Sequence, residues 1–256
     1  MKLITLNTWG GAGGASELLR FFEKHSDVDI FCLQEVFEGD RGALGADPAV
    51  SFWKKAREKD YQLLSSVQAR LPHHASYFRP HLKDFYGLAF FVKKGITVLE
   101  EGEHFVHKEK SYLPETTERM GAHARNIQYL KIMHNGKELC VINFHGLWNG
   151  QGKTDTEDRL AQSKKILQFT KDISTDFILA GDFNLLPDTE SLKMIQNSGL
   201  KNLIIEHGIT STRTSYYTKP EKYADYVFVT PGLVVKDFKV LPDEVSDHSP
   251  LLLDFE

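Results

Sequence analysis

The sequence predicts an α/β fold in which a mixed sheet, or two packed sheets, carries helices on the outside. Three observations predict it. Val28–Val36 (VDIFCLQEV) is a near-continuous apolar run, as in a strand covered on both faces. Asn126–Met133 and Glu138–Phe144 flank Asn135–Gly136, the strongest short signal of an antiparallel hairpin. Amphipathic segments alternate with such runs, and neighbouring strands are often hairpin-linked, which favours a mixed sheet over a purely parallel one.

Taken in order, Lys2–Trp9 reads as a strand ended by the Gly10–Gly14 cluster. Ser16 is placed to cap a helix through His25, with Leu18, Leu19, Phe21 and Phe22 apolar. After Val28–Val36, a helix is expected near Ser51–Lys59 and a strand near Tyr61–Val67. Tyr86–Val92 and Ile96–Val106 read as strands around the Lys93–Lys94–Gly95 turn. Beyond the hairpin, Thr154-Asp-Thr-Glu157 has the capping-box pattern, followed by Leu160, Ile166, Leu167 and Phe169 at roughly helical spacing. Asp176–Ala180 is a buried strand leading into GDFN, and Thr189–Gln196 is a helix stopped at Ser198–Gly199. Tyr226–Val229, Val234–Val240 and Leu251–Phe255 close the chain as strands. With no repeat, low-complexity stretch or Pro/Ser linker, residues 1–256 read as a single domain.

Hydrophobic residues make up 41% and charged residues 26%, which excludes a disordered chain. A net charge of −4 argues against coating nucleic acid or anionic membrane by bulk charge, though it leaves room for a local basic groove. Cys32 and Cys140 sit in apolar runs and read as buried free thiols of a reducing compartment. No apolar leader or run of about 18 apolar residues is present, so a soluble, cytoplasmic protein without stable membrane insertion is expected, with a monomer favoured.

The functional signal lies where the predicted strands end. LITLNTW brings Asn7 to one strand end, FCLQE brings Glu35, INFHG brings His145, and LAGDFN brings Asp182 and Asn184. SDHSP places Asp247 and His248 just before the last strand. Strand ends line the ligand crevice of layered α/β proteins. Oxygen donors dominate and no Cys/His pair has zinc spacing, a set that suits Mg²⁺ or Mn²⁺. A metal with two histidines and no Ser or Cys nucleophile points to attack by water on a phosphoryl centre. Each residue also has a structural reading: Asn7 as a turn cap, Glu35 as a solvated strand end, His145 as a turn histidine, Asp182–Asn184 as an Asx-turn. Their joint occurrence is what carries the argument.

TLNTW, LQE, NFHG, GDFN, DYVFV and SDHSPL occur in the order used by the endonuclease/exonuclease/phosphatase superfamily, and the chain resembles it from Asn7 to Pro250. The resemblance implies a four-layer α/β sandwich, two mixed β-sheets face to face with helices outside, and Mg²⁺-dependent hydrolysis of a phosphodiester, most readily nucleic acid. It makes Glu35 the principal metal ligand, with Asn7 as a second ligand or phosphate donor and Asp247 as a further ligand. It makes Asp182 and Asn184 the pair that positions water and a phosphate oxygen. His248 contacts the scissile phosphate or accepts a proton, with Asp225 as its carboxylate partner. His145 is the general acid, and Arg125 binds phosphate. The acidic partner of His145 is not identifiable; Gln68–Phe85 holds only Asp84. Phe37–Val50, Gln68–Phe85 and His107–His123 are the expected specificity loops. The second carries Arg70, His73, His74, Arg79, His81 and Lys83 as a phosphate-tracking cluster or a solvated loop, with Tyr77 and Phe78 as base-stacking or anchoring rings. The alternatives are a phosphodiesterase or phosphatase acting on a phospholipid headgroup, inositol phosphate or small nucleotide, or a binding module without activity.

Overall fold

A computed structural model of the chain describes residues 1–39, 62–110, 112–114 and 121–256. One six-stranded sheet is built from β1 (Lys2–Asn7), β2 (Ile30–Phe37), β3 (His74–Leu82), β4 (Tyr86–Lys93), β11 (Val235–Val240) and β12 (Leu251–Phe255), in the order β11-β12-β1-β2-β4-β3. The other contains β5 (Val98–His107), β6 (Arg125–His134), β7 (Lys137–His145), β8 (Asp176–Asp182), β9 (Lys201–Asn202) and β10 (Asp225–Val229), in the order β5-β6-β7-β8-β10-β9. Each sheet has one parallel pair, β1–β2 and β7–β8, and antiparallel neighbours elsewhere. A helix crosses over within each parallel pair: α1 (Ala15–Lys24) in the first sheet and α3 (Glu157–Lys171) in the second, as parallel pairing requires.

Two apolar cores explain the layering. Leu3, Ile30, Cys32 and Phe90 of the first sheet join Val141, Phe144, Ile178 and Val227 of the second in one cluster. On the outer face of the first sheet, Ile4, Leu6, Phe31 and Leu33 pack against Leu18, Phe21 and Phe22 of α1 and against Leu63 and Val67 of α2 (Leu63–Arg70). Outside the second sheet, α3 and α4 (Glu190–Asn197) add Ile166, Leu192 and Ile195. The layers therefore run helix, sheet, sheet, helix. Between the sheets, Gln34 donates to Asn143 Oδ1 (2.7 Å), and Asn143 donates to the Leu33 carbonyl (3.0 Å). These buried amides each lie within two residues of a candidate site residue, Glu35 or His145, and tie the two sheets together there, with Gln34 Oε1 left without a hydrogen-bond partner among the described residues.

Several local expectations are corrected. The expected strand near Tyr61–Val67 is, from Leu63 on, helix α2; Leu63 and Val67 are four apart and share its buried face. Gln68–Phe85 is not a loop: it holds the end of α2 and strand β3, whose polar residues and Pro80 are tolerated because β3 is a sheet edge. Gly14, not Ser16, precedes α1. Thr156 rather than Thr154 caps α3, while Asp155 accepts the first N–H groups of α4 at Glu190 (2.7 Å) and Ser191 (2.9 Å). The strand expected over Lys2–Trp9 stops at Asn7, and Trp9–Gly11 form a 3₁₀ turn. The helix expected at Ser51–Lys59 lies outside the described residues.

Candidate active site

The ends of the central strands meet at one edge of the sandwich. In the second sheet, His145 on β7, Asp182 on β8 and Asp225 on β10 are direct cross-strand neighbours. In the first, Asn7 ends β1 opposite Gln34, and a bulge in β2 between Leu33 and Val36 displaces Glu35. Glu35 has φ 57°, a left-handed backbone costing a non-glycine residue roughly 1–3 kcal/mol. Thr8 holds that turn by donating its hydroxyl toward the carbonyls of Gln34 and Glu35, each at 3.0 Å. Two glycines let β7 and β8 approach: a Cβ on Gly181 (φ 145°) would stand 2.0 Å from the Phe144 oxygen, and one on Gly146 2.2 Å from the Phe183 oxygen. GDFN and NFHG thus need their glycines to bring Asp182 and His145 together.

Asp182 is the centre of the arrangement and only 1% exposed. Its Oδ2 accepts from Asn7 Nδ2 (2.9 Å) and lies 3.6 Å from the Nε2 atoms of both His145 and His248. Burial would raise its pKa, but His248, His145, Lys153 and Arg213 outweigh burial and hold it far below the usual carboxylate range. Asn7 Nδ2 also reaches Glu35 Oε1 (3.3 Å), so one amide bridges two carboxylates. Asn184 has φ 54°; its backbone N–H donates to Asp182 Oδ1 (2.8 Å) and its side chain to the Gly146 carbonyl (3.2 Å). The Asx-turn is real, and both residues line the cavity as well.

The structure brings Asp225 to His248: Nδ1–H donates to the carboxylate, at 2.8 and 2.9 Å from its oxygens, and Thr212 donates to Asp225 Oδ2 (2.9 Å). Burial and Arg213 push the His248 pKa down. Asp225, Asp182 and Asp247 outweigh them and hold it above the ordinary imidazole value. His145 is the reverse. Burial, then Arg125, drives it well below that value, and its buried Nδ1 has no partner among the described residues. Asp84 does not serve it: that carboxylate is exposed and pairs with Lys110 (3.0 Å).

The remaining wall, around a cavity of about 260 Å³, is cationic. Arg125 opens β6 but is not a surface residue. Its guanidinium is buried against His123, His81 Nε2 (3.2 Å) and the Gly121 carbonyl (3.1 Å). His81 Nδ1–H donates to Asn126 Oδ1 (2.8 Å), which leaves Nε2 as a neutral acceptor for Arg125; burial and Arg125 lower the His81 pKa accordingly. Lys153, Arg213 and Tyr217 form the other flank and were not singled out by sequence. Lys153 follows a glycine turn, and Arg213 lies in a polar stretch without periodicity, so each reads locally as solvated loop.

The proposed basic cluster disperses. Arg70 pairs with Glu23 (2.9 Å), Arg79 with Glu101 (Nε to Oε1, 2.7 Å), and His74 bonds the Val28 carbonyl (2.8 Å). Tyr77 and Phe78 are half-buried and pack onto the two cores. Of the three expected loops, parts of Phe37–Val50 and His107–His123 lie outside the described residues.

The donor set fits a hard divalent cation. Glu35 and Asp182 face one amide, and Asp247 Oδ1 is buried without a hydrogen-bond partner among the described residues. Asp182, Asp225 and His248 also offer ligand atoms within 4.8 Å of one another, but Asp225 is engaged by His248 and Thr212.

The protein is thus a four-layer sandwich with carboxylates, histidines and an arginine at its strand ends. The match to the Endonuclease/Exonuclease/phosphatase family runs over residues 4–248, and the chain belongs to that family, whose members are hydrolases acting on phosphoester bonds. A UPF0294 protein of Vibrio parahaemolyticus is 32% identical over 123 residues, 48% of this chain and 42% of that protein. One from Vibrio campbellii is 29% identical over 126 residues, with the same coverage. The chain spans under half the length of these curated relatives. Among solved structures, a Bacteroides thetaiotaomicron mannosyl-6-phosphatase superposes with TM-score 0.72 at 17% identity, covering 100% of this chain and 99% of that one. D. rerio TDP2 complexed with single-strand DNA product gives 0.70 at 17%, covering 100% and 98%. At such identities the likeness is one of fold.

Proposed function

We propose that the protein is a Mg²⁺-dependent phosphoester hydrolase, with Mn²⁺ as substitute, acting on a phosphoester held inside this cavity. The observation that carries the reading is the convergence on Asp182 Oδ2, where Asn7, His145 and His248 approach one buried oxygen from three separate segments. Glu35, Asp182, Asp247 and Asn7 would hold the cation, which would polarise a phosphoryl oxygen and favour hydroxide over water. Asp182, held strongly ionised, is a poor base and orients the attacking water rather than stripping it. His248, its pKa raised by Asp225, Asp182 and Asp247 against burial, donates to a phosphoryl oxygen. His145, kept neutral, donates one hydrogen bond to the leaving oxygen, which is narrower than the general-acid role expected from sequence. Arg125 binds phosphate from the opposite wall, and Asn184 is fixed at the cavity margin.

Substrate choice follows from the basic residues. Arg70, His74, Arg79 and His81 are committed to internal partners, which favours a small or terminal phosphoester over a strand tracked along the surface. A nucleic acid would be engaged at its end. No helix among the described residues is long and apolar enough to cross a membrane. A cytoplasmic location is supported by the free, buried Cys32 and Cys140, and a monomer is part of the same reading.

The test is chelation followed by metal return, with p-nitrophenyl phosphate, bis-p-nitrophenyl phosphate and plasmid DNA side by side. Mg²⁺ or Mn²⁺ should restore hydrolysis and Ca²⁺ should do so poorly. Glu35→Gln should lose both Mg²⁺ binding and turnover while remaining folded. Full activity in excess EDTA contradicts the proposal.

A further inference from the structure

We infer that Lys153 reads the charge of the substrate, and that the cavity takes a phosphoryl group bearing two negative charges, a phosphomonoester, rather than a diester bearing one. The inference rests on the hydrolase reading and narrows it, replacing the diester that the sequence suggested.

His248 is matched by Asp225, and Arg213 by Asp247 (3.2 Å). Glu35 and Asp182 are balanced once a divalent cation is present. Two buried cations lining the cavity remain. Arg125, 2% exposed, contacts His81, His123 and the Gly121 carbonyl and has no carboxylate within ion-pair distance among the described residues. Lys153, 3% exposed, donates to the Tyr223 carbonyl (3.1 Å), and no carboxylate lies within ion-pair distance among the described residues. A buried cation without a counter-charge costs several kcal/mol in general, so each calls for an anion from outside the protein. The two stand on different flanks of Asp182. His145 feels Arg125, whereas Lys153 feels Arg213, Asp182, Asp225 and Asp247.

Crowding sharpens the point at Lys153. Its ammonium lies 5.2 Å from the centre of the Tyr217 ring, and the Arg213 guanidinium lies 4.1 Å from the same centre. Two cations sharing one aromatic ring repel, and a bound anion relieves that repulsion. Burial, then Arg213, already pushes the Lys153 pKa down to about 8. Lys219, over Trp148 at 5.3 Å, is exposed and solvated and makes no comparable demand. A phosphomonoester carries close to two charges at neutral pH and a diester one. In a cavity of about 260 Å³, one doubly charged phosphoryl group satisfies both Arg125 and Lys153.

The test is calorimetric binding of methyl phosphate and of dimethyl phosphate to the Mg²⁺-loaded protein at pH 7.5. The wild type should bind methyl phosphate about tenfold tighter or more, the worth of one charge-assisted hydrogen bond. Lys153→Met, which keeps the apolar stem, should reduce that preference to about threefold or less, and Lys153→Arg should retain it. Lys153→Gln serves as the neutral variant if Lys153→Met does not fold. An absent preference in the wild type, or one that survives in the neutral variant, overturns the inference. Parallel rates on p-nitrophenyl esters separate the two claims. Preference without hydrolysis leaves the anion site standing and removes the hydrolase, and hydrolysis without preference does the reverse.

Discussion

His248 and His145 stand equally far, 3.6 Å, from one oxygen of Asp182, yet their pKa values are shifted in opposite directions. His248 comes from the segment before β12 and meets Asp225, Asp182 and Asp247, which raise its pKa against burial and Arg213. His145 comes from the end of β7, where burial and then Arg125 lower its pKa and outweigh Asp182, with His81 adding to the fall. The residue type does not decide the role. Neighbours contributed by distant segments do, and they divide the pocket into a carboxylate-rich flank and a cationic one.

The harshest way to break the comparison is to remove the carboxylate both histidines face. Asp182→Ala should cost on the order of 10³-fold in kcat/KM, since several kcal/mol of transition-state stabilisation go with it. Asp182 is buried, accepts from Asn7 and the Asn184 N–H, and has its pKa held low, so the variant should also melt at lower temperature at neutral pH; steady-state kinetics and a melting curve check both. The next variant removes only one flank's advantage. Asp225→Asn should lower the His248 pKa toward that of His145 and reduce the rate by on the order of 10²-fold, with the alkaline limb of the rate profile moved to lower pH. The sign follows from linkage. A raised folded pKa adds stability below the unfolded value near 6.5, lost as pH rises through the folded pKa, so the variant should also lose stability at mildly acidic pH. An unchanged profile leaves Asp225 as scaffold.

The smallest effect is expected outside the pocket, at Arg79. Its partner is Glu101 on the neighbouring sheet, and Arg79→Ala should change stability by roughly 1 kcal/mol or less. KM for a phosphoester should stay within about twofold of wild type, because the side chain contributes no binding at the site. A large rise in KM for polymeric DNA alone would restore the surface-tracking reading.

The contrast between Arg79 and Lys153 shows what was legible in the sequence. Both are basic residues in polar surroundings. Strand ends were readable because buried apolar runs announce strands, and a polar residue at the end of one stands out. Asn7, Glu35, His145 and Asp182 were found that way, and the structure brings them together. The Asn135–Gly136 hairpin and the interleaved helices were readable from turn chemistry and spacing. Lys153 and Arg213 were not, because loop residues reach the cavity through tertiary placement that leaves no local pattern. β3 was hidden by its edge position, which permits Pro80 and charge, and α2 by its shortness. Gln34 and Asn143, beside the site residues, turned out to clamp the sheets, a role visible only once both sheets are in view.

The division of the pocket is tested most directly by titrating the histidine side chains of the metal-free protein by nuclear magnetic resonance, with His248 and His145 assigned through single replacements. The account predicts that His248 titrates above the ordinary value near 6.5 and His145 well below it, with the gap narrowing in Asp225→Asn. Two histidines titrating together near 6.5, or the order reversed, would contradict it.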